Sequence, residues 1–201
     1  MRCRQTLAAL GVLALLAACT PDVRERRVAT VSAGVVDSAL PMEEQLRRFR
    51  ATVADTVTGL RGGSATREAL VRRAVRAMTL ADTAVVLGLT LTPAEFGWLY
   101  YAGSRLARPP YELPPALAWF QIRGNTEADL RRAITHVRDG GARYLSHECA
   151  SLRVEGANRI HSSCRVRLRR GSHATRETAV LFGSIVERDG QFKFLGMANR
   201  M

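Results

Sequence analysis

Cys149 and Cys164, fifteen residues apart, and Cys19, set directly after an apolar run, are the residues of this 201-residue chain with the most defined chemistry. A cysteine serves as nucleophile, metal ligand, acyl acceptor or half of a disulfide, and its surroundings decide which. His147 and Glu148 precede Cys149 and look like a base beside a nucleophile. The segment alternates as a strand does, so Glu148 points away from its neighbours and the three cannot act together on one substrate. His136, His147, His161 and His173 are spread over a helix, two strands and a turn without the close spacings of a zinc site, and no metal is expected. No Gly-x-Ser-x-Gly elbow or phosphate-cradling glycine motif is present, and Gly62-Gly63 and Gly140-Gly141 read as helix terminators, so no cofactor is expected.

Two groups of residues point to binding instead. Phe96, Trp98, Tyr100, Tyr101, Tyr111, Trp119 and Phe120 are seven of the twelve aromatics and fall within 25 residues around a proline-rich stretch, 108–115. Rigid rings beside a stiff loop suit a pocket for an apolar ligand, with Phe96, Trp98, Tyr101, Tyr111 and Trp119 as its candidates; the same rings also suit a core packed under a sheet. Arg165, Arg167 and Arg169 alternate along one strand face and form a row of guanidinium groups able to hold phosphate or another anion. Against this stands a solvated face in a chain whose thirty basic residues include one lysine, Lys193, at a formal charge of +12.

The elements that must position these residues follow from periodicity. Residues 20–41 mix charge with small side chains and read as a tether reaching about 25 Å as a flexible coil. From Pro41 the pattern is helical, with Leu46, Phe49, Val53 and Val57 on one side, until Gly59 and Gly62-Gly63. A second helix starts near Ser64 or Thr66 and carries Leu70, Val71, Ala74, Val75 and Met78 inward. Thr92-Pro93-Ala94-Glu95 is a capped helix start. Two helices, 115–123 and from 125 or 126 to 139, precede Gly140-Gly141.

Beyond Gly141 the period becomes that of strands: 144–155, 159–169, 175–188 and 191–197, with Asp189-Gly190 as a hairpin turn. Pairing Cys149 with Cys164 centres the first turn between Gly156 and Ala157. That register sets apolar Leu152 and Val154 opposite His161 and Arg159, so a bulge between Cys149 and Leu152 or a shifted pairing is expected.

The first eighteen residues carry an address. Arg2 and Arg4 precede an unbroken apolar stretch, residues 7–18, which reads as a secretory signal peptide. Its end, Leu16-Ala17-Ala18-Cys19, resembles the lipobox of bacterial lipoproteins. The resemblance covers the leader and Cys19 only. It implies that the Cys19 thiol takes a diacylglyceryl group, that the bond before it is cut, and that the chains hold the protein on a bilayer, since more than one chain is needed for durable attachment. Thr20 after the cysteine implies the outer membrane, facing the periplasm, in a Gram-negative host. In that oxidising compartment Cys149 and Cys164 are expected to be bridged, and nucleic acid is excluded as a partner.

These readings combine into a single α+β domain over 42–201, with helices in 42–140 packed on a four-stranded antiparallel meander in 143–198. The element order loosely resembles the cone-shaped fold of the ketosteroid isomerase and nuclear transport factor superfamily, in architecture alone and with no motif residue matched. The function expected is a non-catalytic, envelope-anchored module that binds a partner protein, an anionic envelope polymer or a small apolar ligand. The alternative is an enzyme with Glu95, Glu112 or Glu148 as base in an aromatic-lined pocket.

Overall fold

A computed structural model describes residues 40–53, 55–171 and 175–197. The chain divides into Met1–Ala39 and Leu40–Met201. The leader, Cys19, most of the tether and, further on, His173 lie outside the described residues.

Five helices come first: α1 (Met42–Ala51), α2 (Arg67–Thr79), α3 (Thr83–Gly88), α4 (Pro93–Glu95) and α5 (Pro115–Asp139). Side-chain oxygens set their starts. Thr66 accepts from the Ala69 N–H at 3.0 Å and Asp82 from the Val85 N–H at 3.0 Å. Thr92 and Glu95 cap each other reciprocally, as the sequence predicts. Each such cap contributes about 1 kcal/mol. After α4 the chain winds as a π-helical turn, Phe96–Tyr100, and two 3₁₀ turns, Tyr101–Gly103 and Arg105–Ala107.

Two helix boundaries differ from the periodicity. The first helix stops at Ala51, where the Thr52 hydroxyl donates to the Phe49 carbonyl at 2.7 Å, and Val57 reaches the core from a loop. The two segments before Gly140 form one 25-residue helix, because Gly124 lies in open space and costs α5 only about 1 kcal/mol.

The sheet follows: β1 (Arg143–Glu155), β2 (Asn158–Arg170), β3 (Thr175–Ala179), β4 (Ile185–Arg188) and β5 (Gln191–Phe194). The fold is α+β and antiparallel as expected, with five strands in place of four. The extra strand comes from a split in residues 175–188. Leu181 and Phe182 are both buried, which consecutive residues of one pleated strand facing a single core cannot achieve, so the chain leaves the sheet between β3 and β4. Both strands pair with the same edge of β2, β3 along Val166 to Arg170 and β4 along Arg159 to His161. Between them lies a seam.

The first hairpin keeps the predicted register, Cys149 opposite Cys164 and Glu155 opposite Asn158. Its register shift falls between Tyr144 and Ser146, and none occurs between Cys149 and Leu152. There the pairing skips Ala150 and Ser163 instead, and Ser163 takes φ +54°. On one side of it Ile160 packs into one core; beyond it Cys164, Val166 and Leu168 pack into the other. Leu152 and Val154 stay on the surface.

Those two cores cover both faces of the β4–β5 end. Ile185 and Phe194 meet α2 and the C-terminal half of α5; Val186 and Leu195 meet α1, the Phe96–Tyr101 turns and the N-terminal half of α5. The edge of β5 is covered by loops, since Ser64 and Phe192 exchange hydrogen bonds at 3.0 and 2.9 Å and Leu91 donates to Phe194 at 2.8 Å.

The disulfide Cys149–Cys164 joins β1 to β2 across a separation of 15 residues. Closing that loop contributes about 3 kcal/mol in the chain-entropy model. Replacing both cysteines with alanine is expected to lower urea-unfolding stability by about that amount, while dithiothreitol lowers the parent to the same value and leaves the variant unchanged.

Candidate functional site

The strand pairing brings together an arginine face wider than the sequence predicts. Arg165, Arg167 and Arg169 are exposed on one face of β2 while Cys164, Val166 and Leu168 point into the core. Arg143 on β1 and Arg176 on β3 both pair with Arg169, so three guanidinium-bearing residues stand side by side across three strands. Arg165 faces Glu148, and Arg167 has Ser146 and Thr178 beside it. None of these five arginines forms an ion pair among the described residues. Like charges directly opposite in a sheet are destabilising, so this row lowers its energy when an anion lies on it. Arg143 and Arg176 escape sequence reasoning because only the register after the Tyr144/Ser146 shift, together with the split of the third strand, aligns them with Arg169.

Arg170, next in sequence, turns inward. Its guanidinium pairs with Glu177 and donates to the His136 carbonyl at 2.9 Å, tying β3 to the end of α5. Glu177 also meets the His136 ring. The Arg170 guanidinium, first, and His136, further, hold the Glu177 carboxyl below its ordinary range.

The five aromatic candidates do not line one pocket. Phe96 and Tyr101 are fully buried, and Phe96 is a hub with ring centroids at 5.7 Å from Phe49, 5.6 Å from Tyr101 and 5.3 Å from Trp119. Tyr101 donates to the Leu113 carbonyl at 2.6 Å, and burial pushes its phenol up to about 12. Trp98 is half-buried beneath the Arg50 guanidinium, 4.4 Å from its ring. Trp119 borders an open groove, and Tyr111 is exposed beside Arg105. Two of the five rings are thus core, two are half-covered at its rim, and Tyr111 lies outside it.

The carboxylate candidates are also separated. Glu95 is buried, accepting from Lys193 at 2.7 Å, from the Arg61 N–H at 2.7 Å and from the Thr92 N–H at 2.8 Å, so its lone pairs are engaged. Glu112 and Glu148 are on the surface. His161 is buried with both ring nitrogens occupied, at 2.7 Å from Glu187 and 3.2 Å from Arg67. His147 lies 2.9 Å from the Tyr144 hydroxyl, and burial lowers its proton affinity. Cys149 is in the disulfide and has no free thiol. No group of three metal-ligating side chains forms among the described residues.

A second feature has no counterpart in the sequence reading. At the seam on β2, a cleft of ≈ 200 Å³ opens between Ser162, Ser163 and the 180–184 connection, with Arg105 and Arg153 at its walls. Compared with known proteins, the chain matches no family model, no curated protein and no solved structure.

Because the folded state holds Glu177 ionised below its ordinary pKa of 4.5, the contact stabilises the protein above that pH and loses its contribution as pH falls through the lowered value. Melting temperature of the parent is expected to fall faster below pH 4.5 than that of Glu177→Gln, and parallel acid curves would remove this role.

Proposed function

We propose that the protein is an envelope-anchored lipoprotein, held on a bilayer by acyl chains on Cys19, whose folded domain binds an anionic envelope polymer without catalysis. One observation carries the reading: Arg143, Arg165, Arg167, Arg169 and Arg176 share an exposed sheet face, and among the described residues none of the five forms an ion pair, although Glu148 lies opposite Arg165. A guanidinium holds a phosphate or carboxylate group by paired hydrogen bonds, and a row of them suits repeated anionic groups. An exposed face that runs over three strands fits a chain-like ligand lying across them. Arg2 and Arg4 subtract two charges from the +12 of the whole chain and leave +10 on residues 19–201, a field that draws polyanions.

A small apolar ligand is less well supported, since Phe96 packs against Tyr101 and Trp119, and Trp98 and Tyr111 lie beside arginines elsewhere. The enzyme reading draws no support from its carboxylates: Glu95 is locked in an ion pair, and Glu112 and Glu148 are outside any enclosed cavity.

Cells grown with labelled palmitate should incorporate it into this chain and lose the signal in Cys19→Ala. That exported, unlipidated chain should bind immobilised lipopolysaccharide in a salt-sensitive way. The triple change Arg165→Ala, Arg167→Ala, Arg169→Ala should weaken binding at least tenfold, because each basic group at an anionic surface contributes roughly 1 kcal/mol. Equal retention of the triple variant, or binding indifferent to salt, contradicts the reading.

A further inference from the structure

The seam between β3 and β4 exists because β2 has two partners on one edge and none along residues 162–165. The connection between those partners, residues 180–184, bows away to bury Leu181 and Phe182, and Arg105 and Leu106 of the 3₁₀ turn line the space left. The result is a cleft of ≈ 200 Å³, below the 300–1,000 Å³ usual for drug-sized ligands, so its occupant is small.

Its lining divides by chemistry. Leu106, Val180, Phe182 and Leu195 are its apolar members. Ser151, Ser162, Ser163 and Ser184 with Arg105 and Arg153 are its polar ones. Arg153 is fixed from both ends, donating to Glu155 at 3.3 Å and to the Ser162 hydroxyl at 3.3 Å. Ser184 also donates to Ser162, at 3.2 Å. Ser162 is thus held between Arg153 and Ser184, and its hydroxyl can both donate and accept. Arg105 forms no ion pair among the described residues; its guanidinium stands 5.4 Å from the Tyr111 ring. Two cations against the single Glu155 carboxylate leave the cleft one positive charge in excess.

We propose that this seam binds a small organic monocarboxylate. Its carboxylate meets Arg105 and the Ser162 hydroxyl, and its short apolar body lies on Leu106, Phe182 and Leu195. The apolar wall favours a carboxylate with a hydrocarbon body over inorganic phosphate, which has no such part, and the charge excess favours an anion over a neutral amide of the same shape. The site is distinct from the arginine face and does not depend on the polymer reading or on lipidation.

Calorimetric titration of the full chain with sodium butyrate, butyramide and inorganic phosphate at low ionic strength tests it. Saturable one-site binding of butyrate is expected, at least tenfold tighter than that of either comparison compound. Arg105→Ala, whose side chain is outside both cores, should weaken butyrate at least tenfold while the circular dichroism melt stays that of the parent. Ser184→Ala, read in the same way, should weaken it severalfold and serves if Arg105→Ala does not fold. Absence of butyrate binding, butyramide or phosphate binding as tightly as butyrate, or full affinity in a folded Arg105→Ala or Ser184→Ala chain would overturn the proposal.

Discussion

Lys193 is the one lysine in the chain, and it is buried, with its side chain 1% exposed against a Glu95 side chain at 2%. A buried charge is tolerated only when it is paired and hydrogen-bonded, and each member of this pair has further hydrogen bonds beside the other. The ammonium reaches Glu95 at 2.7 Å and the Arg61 carbonyl at 2.9 Å, while the carboxylate also accepts the N–H groups of Arg61 and Thr92. One ion pair thus fastens three segments that are remote in sequence: the loop before α2, the start of α4 and strand β5. A compact ammonium with three donors fits this corner, where a planar guanidinium would need more room. The approach is close: a Cβ at Gly63 would lie 2.5 Å from the Phe192 carbonyl oxygen and 2.9 Å from Lys193 itself.

The rest of the sheet follows from where β5 is held. β5 pairs with β4, β4 with the first residues of β2, and Phe194 packs against Phe182 with ring centroids 4.5 Å apart and the rings tilted by 43°. Burial of Phe182 against Phe194, together with Leu181, keeps residues 180–184 turned inward between β3 and β4. The arginine row lies at the far end of β2, where only one face is covered, and the doubly covered end near β5 carries the aromatic cluster and the ion pair. Burial and charge are therefore divided along the length of one strand. The reversal of faces at Ser163 lets a single β2 serve both.

Much of this was legible in the chain. The capping box at Thr92, a helix start near Thr66 and the change of period after Gly141 follow from local chemistry, which acts over a few residues, and the two cysteines fix the register of the first hairpin. Arg165, Arg167 and Arg169 are readable as one face because alternation of period two persists after Cys164. What local pattern could not supply is pairing at a distance. The split of residues 175–188 depends on Leu181 and Phe182 finding partners in α-helical and β5 residues, and the alignment of Arg143 and Arg176 depends on a shift at Tyr144 that no residue type announces. Glu95 shows the same limit. Its type and position suit a capping box and a catalytic base equally, and only the distant Lys193, 98 residues on, decides between them.

The central claim, that the Glu95–Lys193 pair is the tie between the helical segments and the sheet edge, is tested most directly by a double-mutant cycle with Glu95→Gln and Lys193→Met, read by urea unfolding. Each single change leaves the other charge buried and unmatched and should cost about 3–5 kcal/mol, whereas the double change should cost at least ~2 kcal/mol less than their sum. Single losses that add to within ~0.5 kcal/mol, or losses no larger than those of surface substitutions, would contradict it.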